Sequence, residues 1–200
     1  MMTIFGICSS INGYNKGIYS TKERFEQTIL TINSIKKIPN SYIILCENSE
    51  ICDEFKIQIA NMIDLYIYVD VNDGDKSYNE SHQMVKIIES IKNLNYDIFF
   101  KISGRYYLKN DFNINQYKND KINFREFNYN GRYCYSTVLY SFSKRHEEFM
   151  KSTYEKFHSD KKSIDIETGL HTLIHNNSVN KINHLGVAGN IAPSGEYLNH

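Results

Sequence analysis

Over its first two-thirds, the chain alternates short apolar runs with amphipathic stretches. The apolar runs are rich in β-branched and aromatic residues and end at polar turns, which is typical of buried strands. The predicted strands are residues 3–8, 42–46, 65–71 and 97–102. Apolar residues at helical spacing lie between them and predict three helices. Repeated strand–helix–strand units imply a mostly parallel sheet with right-handed crossovers.

Polar residues mark where the predicted helices begin and end. Ser20 with Glu23, and Ser77 with Glu80, have the form of a capping box. The second helix covers roughly residues 50–62. The apolar faces of the first and third helices are Phe25, Ile29, Ile32 and Ile35, and Met84, Ile87, Ile88, Ile91 and Leu94.

The last third of the chain has a different pattern. Residues 122–128 and 133–142 predict two strands, and residues 144–158 a helix. Residues 165–175 predict a short helix, and residues 185–200 an irregular segment with glycines. The predicted fold class is α/β, a mostly parallel sheet flanked by helices with a small mixed annex at the end.

Composition and charge exclude several classes of protein. A length of 200 residues with 41% hydrophobic and 23% charged residues predicts one domain with a buried core. Twenty-three basic residues balance 23 acidic ones, which disfavours a nucleic-acid partner. No apolar window approaches the ~18 residues of a membrane span, and residues 1–8 do not resemble a signal peptide.

The four cysteines form neither a C-x-x-C pair nor a zinc-binding spacing. They are Cys8, Cys46, Cys52 and Cys134. Free thiols are typical of a reducing compartment, so the predicted location is the cytoplasm of a cell or of a host cell.

Polar residues follow each predicted strand at its carboxyl end, where open parallel sheets bind ligands. These groups are Cys8-Ser9-Ser10, Glu47-Asn48, residues 70–75 and Ser103-Gly104-Arg105. Their mixed charge predicts a nucleotide cleft. Since Lys101, Ser103 and Arg105 alternate, an extended backbone directs all three to one side. The two cations predict a diphosphate site, and the alternative is that they pair with surface carboxylates.

Five segments, in order along the chain, resemble the small nucleotide-sugar glycosyltransferases of the GT-A fold. They are residues 4–9 (IFGICS), 76–80 (KSYNE), 100–106 (FKISGRY), 165–167 (DIE) and 185–189 (LGVAG). The similar enzymes are encoded by large DNA viruses, including the chlorella-virus capsid glycosyltransferase domain, and by bacterial polysaccharide clusters.

The resemblance implies a nucleoside-diphosphate sugar as donor, with a UDP-sugar favoured, and a saccharide or glycoprotein as acceptor. Residues 1–108 would form the donor half and residues 109–200 the acceptor half. Cys8, Ser9 and Glu47 would then hold the base and ribose. Lys76 would lie against the diphosphate, and the alternative is a solvated lysine in a charged turn.

One departure from the GT-A pattern leaves metal dependence open. GT-A enzymes usually carry Asp-x-Asp at the end of the fourth strand, where this chain has Lys101 to Arg105. Either Lys76, Lys101 and Arg105 replace the metal, or manganese or magnesium binds elsewhere. The candidate ligands elsewhere are Asp73, Asp75 and His184. Asp73-Gly74-Asp75 lies one crossover too early for the usual motif and is also ordinary turn chemistry.

Asp165 and Glu167 open the short helix and are the candidate catalytic residues. The resemblance implies that Glu167 faces the acceptor, as general base if the configuration inverts. In a retaining enzyme it would orient the acceptor or stabilise the charged sugar. The alternative is an acidic first turn with Asp165 as N-cap.

Other functions stay open at this stage. His171 and His175 have a zinc-compatible spacing without a third ligand. A sugar-phosphate nucleotidyltransferase usually has a Gly-rich basic loop after its first strand, which residues 8–13 lack. A non-catalytic domain that binds a sugar nucleotide or a partner is the remaining alternative, favoured by the missing Asp-x-Asp.

Overall fold

The computed structural model describes residues 2–13, 17–71, 75–159, 165–174, 179–191 and 194–200. The helices are α1 (Thr21–Ile35), α2 (Asp53–Ala60), α3 (Lys76–Ile91), α4 (Glu147–Ser159) and α5 (Ile166–Leu173). The strands of the main sheet are β1 (Thr3–Ser9), β2 (Ser41–Glu47), β3 (Leu65–Tyr68), β4 (Ile98–Ser103), β6 (Ile122–Phe124), β9 (Leu139–Ser143) and β10 (Val179–Lys181). The shorter strands outside it are β5 (Tyr106–Leu108), β7 (Glu126–Tyr129), β8 (Arg132–Tyr135), β11 (Val187–Asn190) and β12 (Tyr197–Asn199).

The main sheet has the order β10-β6-β9-β4-β1-β2-β3. Strands β4, β1, β2 and β3 are parallel, β9 is antiparallel to both β4 and β6, and β10 is parallel to β6. Six strands therefore run in one direction and β9 runs against them. The mostly parallel α/β sheet predicted from the sequence is confirmed.

The central strand β1 is buried on both faces, as its unbroken apolar run requires. Phe5 and Ile7 belong to the core under α1 and α2, whereas Ile4 belongs to the core under α3 and α4. At Gly6 a Cβ atom would lie 2.6 Å from the Phe99 ring, so glycine here permits the close packing of β1 and β4 side chains. Any larger residue at position 6 would clash with the Phe99 ring and push it away from β1.

The two predicted capping boxes have different outcomes. The first is confirmed: the Ser20 hydroxyl accepts from Glu23 N, and Glu23 accepts from Ser20 N. The second is wrong, because Asp75 is the N-cap of α3 and accepts from Ser77 N at 2.7 Å. Glu80 turns into the protein to neutralise a buried lysine, and that contact takes precedence over a local cap.

Each of the two long strands predicted in the last third is split. Residues 122–128 divide at Arg125 and residues 133–142 divide at residues 136–138, so β6 and β9 join the main sheet while β7 and β8 form a hairpin. The segment 185–200, predicted to be irregular, contains β11 and β12, and β11 pairs with both β12 and β5 in an antiparallel sheet. We call the hairpin and this three-stranded sheet the annex. The pairing of β11 with β5 joins Val187 to Leu108, which are too distant in sequence for a local pattern to reveal.

The helices of the last third lie close to their predicted positions. A 3₁₀ turn, Lys144–His146, precedes α4, and α5 begins after Asp165 and packs against β8. Throughout the described ranges, we find no helix both long and apolar enough to cross a membrane. The cytoplasmic location stays a prediction.

Candidate functional site

A cavity of about 560 Å³ opens at the carboxyl ends of β1 and β4. The chain runs from β1 through β2 to β3 on one side and then returns to β4 on the other side of β1. Such a reversal of strand order leaves a crevice where α/β proteins bind ligands. The predicted site residues that line the cavity are Cys8, Ser9, Lys76, Ser103, Gly104, Arg105 and Glu167.

The other walls come from α1, α3 and the annex. Sequence analysis missed several residues there, namely Arg24, Asn79, Gln83, Arg125, Phe127, Thr137, Leu198 and His200. Arg24 lies in the first turn of α1, which begins beside the end of β1. Arg24 could have been predicted, because it directly follows the Ser20–Glu23 capping box at the start of the helix after β1. Arg125 and His200 reach the cavity only through tertiary folding.

Glu167 and Lys76 form an ion pair at the cavity wall. Lys76 Nζ donates to Glu167 Oε1 at 2.7 Å, and the Thr137 hydroxyl donates to the same oxygen at 2.9 Å. Burial by itself would raise the pKa of Glu167, but the charge and hydrogen bond of Lys76 outweigh it, so this pKa lies below its ordinary value. The carboxylate is therefore ionised and held in position. Lys76 was predicted to contact the diphosphate and Glu167 the acceptor, and the two side chains contact each other.

Asp165 is the N-cap of α5. Its carboxylate accepts from Thr168 N at 2.8 Å and from the Thr168 hydroxyl at 2.7 Å. It is exposed and does not line the cavity. The alternative role as a helix cap is thus the one that the geometry supports, rather than the predicted catalytic role.

Lys101 is fully buried and has no surface on the cavity. Its ammonium group donates to Glu80 Oε1, to the carbonyl oxygen of Thr137 and, at 2.9 Å, to the Ser103 hydroxyl. An ammonium group has three N–H donors, so all are used. Lys101 and Ser103 do point to one side as predicted, but Lys101 supports the cavity wall from behind instead of facing a ligand.

Arg105 faces the cavity from the loop after β4. Its guanidinium has neither a hydrogen bond nor an ion pair within the described part of the chain, and it lies 5.9 Å from the Tyr106 ring. Burial, followed by the positive charge of Arg105, lowers the pKa of Arg24. Two guanidinium groups therefore lie close enough to repel one another at one end of the cavity, which is an arrangement that an anion would stabilise.

Close backbone packing holds the Arg105 loop in place. Gly104 N donates to Cys8 O at 2.9 Å, and the Thr28 hydroxyl donates to Gly104 O at 3.1 Å. On the opposite side, a Cβ at Gly189 would lie 2.3 Å from the carbonyl oxygen of Arg105. At Gly104 the neighbouring groups are the side chains of Ser9 and Thr28, 3.3 Å from where a Cβ atom would lie.

Glu47 lies beneath the loops and does not line the cavity. Its Oε1 accepts from Ile11 N and from Ser49 N, both at 3.0 Å, and so joins the loops after β1 and β2. Burial raises the pKa of this carboxyl despite these hydrogen bonds. Glu47, predicted to contact the base or ribose, is therefore outside the cavity, whereas its neighbour Asn48 lines it.

Cys8 contributes a neutral thiol to the cavity floor. Burial raises the pKa of this thiol to about 12, which makes it a poor nucleophile at neutral pH. All four cysteines are free, in agreement with the prediction.

The predicted metal ligands are not brought together in the described ranges. Asp75 is used as the cap of α3, and His184 contacts Asp111 at 3.2 Å outside the cavity. Asp73 lies outside the described residues, as does His175. Within the described ranges, no three His, Cys, Asp or Glu side chains are grouped to hold a metal ion. At the end of β4 the side chains are a hydroxyl and a guanidinium, a poor donor set for a divalent cation.

Comparison with known proteins supports the architecture. No protein-family model and no curated protein matches the sequence. The structure is similar to that of a glycosyltransferase involved in the glycosylation of the major capsid of PBCV-1, with a TM-score of 0.54. The likeness covers 89% of this chain and 81% of the other, at 9% sequence identity.

The chain has a GT-A-like fold. At 9% identity the likeness carries the fold and not the activity, because one fold supports many functions.

Proposed function

We propose that the protein is a glycosyltransferase that moves a sugar from a nucleoside-diphosphate donor to a hydroxyl group of a saccharide or glycoprotein. The observation that carries this proposal is that one cavity, at the reversal of strand order, contains both Arg105 and Glu167. A cation for a diphosphate and a carboxylate for an acceptor are the two groups that such a transfer needs.

Arg105 and Arg24 form the donor end of the cavity in this proposal. As the bond between the sugar and the diphosphate breaks, negative charge grows on the leaving phosphate oxygen. Guanidinium groups stabilise that charge by charge-assisted hydrogen bonds. No step is assigned to a metal, since the side chains at the end of β4 do not fit one.

Glu167 acts at the acceptor end. Its carboxylate takes the proton of the attacking hydroxyl while that oxygen bonds to the anomeric carbon and the nucleoside diphosphate leaves. Lys76 contacts Glu167 and is 62% exposed at its side chain, so its ammonium group is able to reach a bound phosphate. When Lys76 turns to that phosphate, the carboxylate becomes a stronger base.

Calorimetric titration with UDP, GDP and dTDP, each with and without manganese, tests the donor site. We expect one diphosphate to bind, and UDP is favoured. Slow hydrolysis of the matching sugar nucleotide separates a transferase from a non-catalytic binding domain, which would bind without turnover. If none of the three binds at millimolar concentration, the proposed function is wrong.

Arg105→Ala is expected to weaken binding of that diphosphate by roughly 1.5–3 kcal/mol, the contribution of a hydrogen bond to a charged group. The same calorimetric titration measures the change. Arg132→Ala is the matched control, because Arg132 is exposed in the β7–β8 hairpin and does not line the cavity. Equal affinity in wild type and Arg105→Ala would remove Arg105 from the donor site.

Lys76→Met is expected to shift the acid limb of the pH–rate profile of kcat/KM, which reports the free enzyme, to higher pH. Lys76 holds the pKa of Glu167 below its ordinary value, whereas burial alone raises it. Without the ammonium group the carboxylate is protonated at a higher pH, so the base form is lost sooner on acidification. Lys86→Met on the same helix is the control. An acid limb at the same pH in Lys76→Met and wild type would contradict this account.

A further inference from the structure

Arg125 and His200 form a fixed pair on the annex wall of the cavity. Arg125 Nη1 donates to His200 Nε2 at 2.6 Å, since a guanidinium is only a donor. Burial and the nearby Arg125 charge lower the pKa of His200 to about 4, so the imidazole is neutral and accepts this bond. Backbone hydrogen bonds of 2.7 and 2.9 Å join His200 to Val187 and hold the backbone that carries the imidazole.

The positive charge of Arg125 is not matched by a carboxylate in the described part of the chain. Its neighbour Glu126 is paired with Lys181 at 2.8 Å and with His171 at 3.2 Å. The two glutamates of the cavity are also paired, Glu167 with Lys76 and Glu80 with Lys101. A half-buried cation that is oriented but uncompensated is costly unless a ligand supplies the negative charge.

The position of Arg125 separates it from the donor end of the cavity. Its carbonyl oxygen accepts from Ser136 N at 2.8 Å, and the next residue, Thr137, donates its hydroxyl to Glu167. Arg125 thus belongs to the wall that holds the proposed base, whereas Arg105 follows β4. Phe127 and Leu198 line the cavity from the annex and offer apolar surface to the C–H face of a sugar ring.

We propose that Arg125 and His200 form a second anion site, which selects an acceptor saccharide that carries a carboxylate or a phosphate. The anion pairs with the free edge of the guanidinium, the sugar ring packs on the apolar annex surface, and a hydroxyl group faces Glu167. The assignment of this ligand as an acceptor rests on the proposed function.

Titration of the full chain, saturated with the nucleoside diphosphate that binds it, tests the site. The probes are glucose 6-phosphate and glucuronate, with glucose as the neutral control and inorganic phosphate as the control without a sugar ring. We expect at least one anionic sugar to bind more tightly than glucose and inorganic phosphate. The two anionic probes distinguish a phosphate site from a carboxylate site.

Arg125→Ala is expected to weaken binding of the preferred anionic sugar about 10- to 100-fold, as the loss of a charged hydrogen bond does. Nucleoside-diphosphate affinity is expected to be unchanged. Arg132→Ala, on the exposed hairpin, is the control. If Arg125→Ala does not unfold cooperatively, Arg125→Gln, which keeps a hydrogen-bonding side chain, replaces it in the same titration.

Three results would overturn the inference. They are equal binding of glucose and the anionic sugars, unchanged affinity in the Arg125 variant, and competition between the anionic sugar and the nucleoside diphosphate, which would assign Arg125 to the donor. The proposed function fails in a different way. In that case UDP, GDP and dTDP do not bind, while the anionic sugar still binds to the protein without nucleotide, and this binding depends on Arg125. Only the anion site would then be retained.

Discussion

Glu167→Gln is expected to lower the rate of sugar transfer by about 10²- to 10⁴-fold, the usual contribution of a general base. The amide has nearly the same shape but cannot take the acceptor proton. Thr137 can still donate to the amide oxygen, so the wall of the cavity keeps its hydrogen bond. Steady-state kinetics with the preferred donor measure kcat, and calorimetry measures donor affinity, which is expected to stay close to that of wild type.

Glu148→Gln is the control for this variant. Glu148 also lies in the first turn of a helix, α4, but it is exposed and outside the cavity. Its replacement is expected to leave the transfer rate unchanged. Should Glu167→Gln transfer sugar as fast as the Glu148 variant, Glu167 would be only a helix-start residue, and the base would have to be sought elsewhere.

Lys101→Met is expected to destabilise the fold by about 3–5 kcal/mol, because it leaves the buried Glu80 carboxylate without its partner. For a chain of this size that corresponds to a drop in Tm of roughly 6–20 °C. The Thr137 carbonyl also loses the Lys101 donor and keeps only the Ser103 hydroxyl at 3.4 Å, and the Thr137 hydroxyl contacts Glu167. Chemical and thermal unfolding followed by circular dichroism measures the loss of stability.

An exposed ion pair on α3, the helix that contains Glu80, is the control. Lys86 and Glu89 lie 3.1 Å apart with side chains 46% and 41% exposed, so Lys86→Met is expected to cost at most about 1 kcal/mol. The double variant Lys101→Met with Glu80→Met removes both buried charges and is expected to recover much of the lost stability. If Lys101→Met costs no more than Lys86→Met, the buried pair does not carry the stability assigned to it here.

The two helix starts illustrate how far a local pattern can be trusted. Ser20 and Glu23 are exposed, so only local contacts compete for them, and the predicted capping box forms. Ser77 and Glu80 have the same spacing, but both face other parts of the chain. Ser77 accepts from Ile166 N at 3.0 Å, and Glu80 neutralises Lys101. Tertiary contacts therefore override the local motif.

The candidate site divides in the same way. The rule that ligands bind at strand ends located Ser9, Ser103 and Arg105, because the ends of parallel strands depend only on strand identity and direction. The rule does not distinguish side chains that line the cavity from side chains that are buried beneath its loops. Lys101 and Glu47 were therefore included, although burial and internal hydrogen bonds remove both from the cavity.

The sequence by itself determined the α/β class, the first four strands and the helices between them, since periodicity and local propensity act over a few residues. It also determined the carboxyl-end position of the cavity. Only the tertiary structure decided which charges pair with one another, joined Lys76 to Glu167, and brought Arg125 and His200 together across 75 residues. Such contacts depend on the register and packing of distant segments, which the local pattern of one sequence does not encode.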